Sequence, residues 1–180
     1  MQQKIVITGG PGTGKTTLIE VLRNLNYTCI TEASRELTLD ARKRGITQFF
    51  TSDPLLFSNL LLKKRKIQYT EASKLSEKLI FFDRGIPDIQ AYLNYAKSSY
   101  KTDFKYLNNK HPYQKIFITP PWKSIYKTDN ERFESFEEAL KIHQQIIKTY
   151  TDLEYTLVEI PIGSIQKRVE FIKKSLFLNN

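Results

Sequence analysis

Residues 9–16 read Gly-Gly-Pro-Gly-Thr-Gly-Lys-Thr and fit the pattern G-x-x-x-x-G-K-[ST]. A loop that wraps phosphate oxygens must turn successive backbone N–H groups inward, which glycine allows at little steric cost. Gly9, Gly10, Pro11, Gly12, Thr13 and Gly14 supply that cradle, and Thr17 completes the nucleotide-binding run. Lys15 is placed to reach the β- and γ-phosphates, and Thr16 to offer its hydroxyl to Mg²⁺. The expected chemistry is binding of ATP or GTP with Mg²⁺. The competing account is a tight glycine turn between a strand and a helix. At ordinary glycine usage, though, the pattern arises by chance in fewer than about one chain in a hundred of this length.

Two carboxylates stand where such a site needs them. Asp83 closes the apolar run Leu79-Ile80-Phe81-Phe82 and is placed to hold the Mg²⁺ shell, directly or through water. Arg84 follows it. Alone, that pair reads equally as an ion pair or a helix cap at a loop. Glu32 ends the second apolar run, followed by Ser34, Arg35 and Glu36. It would face the phosphates and take the proton of an acceptor hydroxyl as a general base. An early-helix carboxylate favoured by the helix dipole is the alternative. Between Thr119 and Ser135 lie Pro120, Pro121, Trp122, Lys123, Lys127 and Arg132. This lid-like segment, about 119–135, would close cations over the transferring group, with Arg132 stabilising transition-state charge. An ordinary solvated loop is the other reading. Residues 53–72 and those after Asp83 are expected to build the acceptor pocket, and Pro161-Ile162-Gly163-Ser164 to border the base.

Short apolar runs alternating with helical patterns must position these groups. Lys4–Thr8, Tyr27–Thr31, Leu79–Phe82, Lys115–Thr119 and Tyr155–Ile160 read as strands. Leu18, Val21, Leu22 and Leu25 stripe a first helix, and Asp53-Pro54 starts another. Ser135 with Glu138 forms a capping box, followed by the stripe Phe136, Leu140, His143, Ile147 and Tyr150. Ile165, Val169, Ile172 and Leu176 stripe the last helix. Five buried strands separated by helices predict an α/β fold, a three-layer α/β/α sandwich on a mostly parallel five-stranded sheet. Residues 1–180 are expected to form one domain.

The chain has 28 Lys and Arg against 19 Asp and Glu, a net charge of +9. The Lys and Arg residues are spread along the chain, and the densest cluster, Lys63-Lys64-Arg65-Lys66, is only four long. The charge therefore reads as a solvated basic surface plus several phosphate-binding side chains, and a nucleic-acid partner is possible but not favoured. No stretch approaches the roughly 20 apolar residues of a membrane span, and the apolar run at Ile5-Val6-Ile7 is short for a secretory segment. A lone cysteine, Cys29, precludes an internal disulfide and reads as a small buried hydrophobe. A cytoplasmic location is expected. His111 and His143 lack partners at metal-ligand spacing and read as structural.

Taken in order, these pieces resemble the NadR-like AAA-type P-loop ATPases, a nucleoside-kinase-like branch. The resemblance is carried by the phosphate cradle, Thr31-Glu32-Ala33-Ser34-Arg35-Glu36, Phe82-Asp83-Arg84-Gly85, Pro121-Trp122, Thr128-Asp129, Glu131-Arg132-Phe133 and Pro161-Ile162-Gly163. It covers almost the whole chain. The likeness extends to the ribosylnicotinamide kinase domain of NadR and to deoxynucleoside kinases. It implies Glu32 as base, Asp83 on the metal and Arg84 on phosphate. Gly85 departs from the serine of the deoxynucleoside kinases, and Arg84 departs from NadR. The implied function is a kinase with an unidentified small-molecule phosphoryl acceptor. A regulatory ATPase or GTPase, or a nucleotide-gated interaction protein, is the alternative, since the family includes an animal GTP-binding trafficking protein. A polynucleotide kinase is the third reading.

Overall fold

The computed structural model describes residues 2–46, 48–126 and 134–177. The elements in chain order are β1 Gln3–Thr8, α1 Lys15–Asn24, β2 Thr28–Ile30, α2 Ala33–Lys43, α3 Phe49–Ser52, α4 Pro54–Ala72 and β3 Leu79–Asp83. There follow α5 Ile86–Tyr95, α6 Phe104–Lys110, β4 Lys115–Ile118, a 3-10 turn Lys123–Ile125, α7 Phe136–Asp152, β5 Leu157–Glu159 and α8 Ile165–Phe177.

The five strands form one parallel sheet in the order β2-β3-β1-β4-β5. Helices cover both faces, which is why β1 is apolar without alternation. Ile5, Ile7, Phe81 and Phe117 pack under α1 and α8 through Leu18, Leu22, Val169 and Ile172. Val6, Ile80, Phe82, Ile116 and Ile118 face the other way, onto Tyr69 and Ala72 of α4, Ala91 of α5, and Ile142, Ile146 and Tyr150 of α7. With β1 central, the register sets Ile7 beside Asp83 and Thr8 beside Ile118. The carboxyl ends of β1, β3 and β4 therefore meet where ligands bind in open α/β sheets.

The expected α/β sandwich is the observed one, and two caps act as read. The Asp53 carboxylate accepts the Leu56 N–H at 2.9 Å, with Pro54 opening α4. Ser135 and Glu138 cap α7 reciprocally, at 3.2 and 2.7 Å.

Several boundaries and faces differ from expectation. β2 and β5 are three residues each, shorter than the apolar runs. Leu25 lies past α1 and is 48% exposed. In α7 the buried face is Ala139, Ile142, His143, Ile146 and Tyr150, whereas Leu140 and Ile147 are more than a third exposed. Two anchors set that rotation: the Tyr150 hydroxyl donates to buried Asp88, and Ala139 and His143 abut Gly10. Within the basic cluster Lys63-Lys64-Arg65-Lys66, Arg65 is only 4% exposed. Helix α4 is apolar on several sides, so a basic run along it must present one member inward. Cys29 is half-buried, and burial pushes its thiol up to about 11.

Candidate active site

Strand β1 runs straight into the cradle, and α1 begins at Lys15, so the loop's N–H groups and the helix N-terminus share one focus. Backbone angles explain the glycines at two positions. Gly12 and Gly14 have φ of +68° and +78°, in the left-handed region. Gly9 is excluded from substitution by a close approach as well, since a Cβ there would sit 2.6 Å from the Thr119 carbonyl oxygen. That oxygen belongs to backbone at the end of β4, which cannot swing aside. Gly9→Ala is therefore expected to destabilise the fold by about 2–4 kcal/mol, read as a lowered urea midpoint at unchanged m-value.

Lys15 folds back over its own loop, its Nζ donating to Gly9 O at 3.0 Å, Gly10 O at 2.7 Å and Thr13 Oγ1 at 3.3 Å. Burial, and then the Arg84 charge, push its ammonium down to about 7. A polyphosphate would supply the anion it lacks and raise that value again. The sign follows: above about pH 7, nucleotide binding must take up a proton. Metal-free ATP affinity is expected to fall by up to about tenfold per unit from pH 7.5 to 9. Calorimetry in two buffers of different ionisation heat would show the uptake, and buffer-independent heats would contradict it.

Arg84 has φ +70°, a left-handed conformation rarely adopted by a non-glycine residue. Five contacts hold it there. Its N–H donates to Ile7 O at 3.1 Å, Nε to Glu32 Oε1 at 2.9 Å, and Nη1 to Gly9 O and Asp88 Oδ1, both at 3.1 Å. The guanidinium also lies 5.4 Å over the Tyr92 ring. Glu32, the N-cap residue of α2, additionally accepts from the Ser34 hydroxyl at 2.8 Å and pairs with Arg35 at 3.5 Å. Burial alone would raise its pKa. Arg84, Lys15, the Ser34 bond and Arg65 overcome that and hold it at about 2. Glu32 is an ionised acceptor throughout the neutral range.

Asp88 carries no motif or spacing that marks it in the sequence. It is 2% exposed and accepts from Thr8 Oγ1 at 2.5 Å, Tyr150 OH at 2.6 Å, Gly85 N at 2.8 Å and Arg84 Nη1. It ties β1, α5, α7 and the strained Arg84 together. Gly85 is glycine because a Cβ would come 2.7 Å from that Tyr150 oxygen. Asp88→Ala strands four donors in a buried site, and a loss of about 3–5 kcal/mol in unfolding free energy is expected by urea titration.

Asp83 lies at the end of β3, 8% exposed, and its Oδ1 has no partner among the described residues. Burial, reinforced by the nearby Glu32 charge, pushes it up to about 6. An orphaned buried carboxylate oxygen fits a cation. The Thr16 hydroxyl, which accepts from Arg35 Nη2 at 3.0 Å, is the second candidate ligand. Among the described residues no cluster of three or more His, Cys, Asp and Glu is formed. A Mg²⁺ ion here would therefore lean on phosphate oxygens and water.

A cavity of about 760 Å³ joins these parts. Pro11, Gly12, Thr13, Gly14, Lys15, Thr16 and Thr17 line one end, and Gly9, Gly10 and Asp83 are not among the lining residues. Glu32, Arg35, Arg84 and Asp88 line the middle. The far end takes Phe57, Ser58, Leu61 and Arg65 from α4, with Ile89 and Tyr92 from α5, the two segments expected around an acceptor. Gln48, Phe49 and Phe50 also line it and carried no sequence signal. Their rings meet edge to face, Phe49–Phe57 at 5.3 Å and Phe50–Phe57 and Phe50–Tyr92 at 5.7 Å. Gly163 and Ile165 reach the cradle end, as do Trp122 and Ile125 from the lid-like segment. Lys127 and Arg132 lie outside the described residues, as do Thr128-Asp129 and Glu131-Phe133. His143 is buried with its ring held neutral, pushed down to about 4 by burial and by Lys15. His111 ends α6, its Nδ1 2.8 Å from Leu107 O.

A family profile described as an AAA domain matches residues 4–168, and the chain belongs to that family. Among curated proteins none matches by sequence. Solved structures match in fold across 97% of this chain at 16% identity. Deoxyadenosine kinase from M. mycoides with bound dATP gives a TM-score of 0.70 over 99% of its length. Thymidylate kinase from Ehrlichia chaffeensis gives 0.64 over 98% of its length at 97% coverage of this chain and 16% identity. NadR in complex with NAD and AMP-PNP gives 0.68 at the same coverage of this chain, 97%, and 16% identity, and the chain spans 48% of NadR. The fold is that of P-loop nucleoside kinases. Among the described residues no helix is long and apolar enough to cross a membrane.

Proposed function

We propose that this member of the AAA domain family transfers the γ-phosphoryl group of ATP or GTP to a hydroxyl of a nucleoside-like small molecule. The observation that carries the reading is the continuity of one cavity from Gly12–Thr17, past Glu32 and Arg84, to a ring-lined end. A phosphate cradle alone would suit any triphosphatase. The apolar wall of Phe49, Phe50, Phe57 and Tyr92 gives a flat organic group somewhere to lie, and an NTPase using only water would give that half of the cavity no role.

In this reading the acceptor hydroxyl donates to Glu32, which orients it and receives its proton as the new bond forms. Phosphoryl transfer passes through a loose transition state, so a carboxylate of low pKa can still serve, because the proton leaves late. Lys15 leaves its own loop carbonyls for the phosphate oxygens. Arg84, held on Glu32 and Asp88, adds fixed positive charge between donor and acceptor. Thr16 and Asp83 would hold Mg²⁺, which when bound neutralises charge on the phosphates. The likeness to structures of nucleoside and nucleotide kinases supports this assignment. A cytoplasmic location and one domain over residues 1–180 belong to the same proposal.

ADP release should be measured with and without a panel of ribo- and deoxynucleosides and nicotinamide riboside. Stimulation of at least tenfold by one class is expected. Equal release with and without every acceptor would overturn the kinase reading.

A further inference from the structure

Arg168, on α8, plays no part in the chemistry above, yet it is only 4% exposed and lines the cavity beside the cradle. Its Nη2 donates to the carbonyl oxygen of Thr13 at 3.1 Å, across 155 positions of chain. Its Nη1 would lie 2.8 Å from a Cβ on Gly14, so the guanidinium rests directly on that glycine. Its Nε has no partner among the described residues. The contact is therefore built around one carbonyl rather than a general packing position.

In a trans peptide the C=O and the following N–H point in opposite directions. A Thr13 carbonyl held by Arg168 turns the Gly14 N–H away from that guanidinium. Gly14 has φ +78°, and glycine adopts either sign of φ at little cost, so nothing in residue 14 itself prevents that peptide from flipping. A flipped peptide would aim a carbonyl oxygen at the phosphates. The Thr13 side chain is fixed separately, its Oγ1 lying 2.6 Å from Thr119 Oγ1 and 3.0 Å from Gly10 O. Those bonds hold the side chain and leave the carbonyl to Arg168. We propose that Arg168 is a positioning residue for the phosphate cradle, fixing the Thr13–Gly14 peptide so that the Gly14 N–H faces the bound polyphosphate. The inference rests on the reading of residues 9–16 as a triphosphate site.

The test compares ATP with inorganic tripolyphosphate, which has no base or ribose, by calorimetry on Arg168→Ala and Arg168→Lys. If Arg168 orients the peptide, Arg168→Ala loses affinity for both ligands by the same factor, about 10- to 100-fold, and Arg168→Lys recovers part of it. In ¹H–¹⁵N spectra the Gly14 amide should shift downfield when tripolyphosphate binds the wild type, and fail to do so in Arg168→Ala. Loss confined to ATP would make Arg168 a base or ribose contact and overturn the proposal, as would unchanged affinity for both. A wild type that binds neither ligand would instead sink the triphosphate reading itself. Arg168→Lys, with the unliganded spectrum as a fold check, keeps the test decisive if the alanine variant unfolds.

Discussion

Replacing Lys15 with methionine is expected to lower kcat/KM by about 10²–10³-fold and to abolish measurable ATP binding, while leaving the unliganded protein as stable as before or more so. The two effects have opposite signs for one reason. Without ligand, Lys15 is a buried cation satisfied by Gly9 O, Gly10 O and Thr13 Oγ1, and the desolvation it suffers pushes its pKa down to about 7. The folded chain is held back by that charge, and the cost lessens as pH rises from about 7 toward 10.5. Methionine keeps the stem and removes the cation. With triphosphate present the ammonium becomes the main neutralising group of the cradle, and its loss is felt in ground and transition states alike. Thermal melts with and without ATP would show both halves. A variant destabilised without ligand and unimpaired in binding would contradict the assignment.

Glu32→Gln is expected to cost about 10²–10⁴ in kcat with a small change in the KM for ATP. Glutamine preserves the shape, and its carbonyl oxygen can still accept from Arg84 or Ser34, but it cannot take a proton. Because Glu32 is held at about 2, the wild-type rate should show no limb from its titration between pH 5 and 8. The same low value ties Glu32 to stability. Its ionised form contributes fully above about pH 4.5, and that contribution is lost as pH falls toward 2. A Gln variant with normal turnover would remove Glu32 from the chemistry and leave it as a partner for Arg84.

What could be read from the sequence was what is local in it. The cradle, Asp83 at the end of β3, the Ser135 cap and the apolar strands each declare themselves within eight residues or so, because backbone angle, capping and burial on both faces leave short-range marks. The ring-lined half of the cavity left weaker marks. Arg65 was hidden in Lys63-Lys64-Arg65-Lys66, where charge alone cannot tell which member turns inward toward Gly85 O. Asp88 carries no local mark because its partners, Thr8 and Tyr150, are 80 and 62 positions away. Arg168 is the extreme case. Phe49 and Phe50 sit in a four-residue helix too short to show periodicity, and they matter only because α4 and α5 bring Phe57 and Tyr92 to meet them. The α7 stripe was misphased for a related cause: Leu140 and Ile147 are apolar, but the Tyr150–Asp88 bond decides which side faces in.

The most direct measurement follows the terminal phosphoryl group. With γ-³²P-labelled ATP or GTP, Mg²⁺ and the acceptor panel, a single turnover should place the label on the hydroxyl of an organic acceptor, and Glu32→Gln should slow that transfer. Label recovered only as inorganic phosphate, at a rate indifferent to every acceptor, would contradict the account.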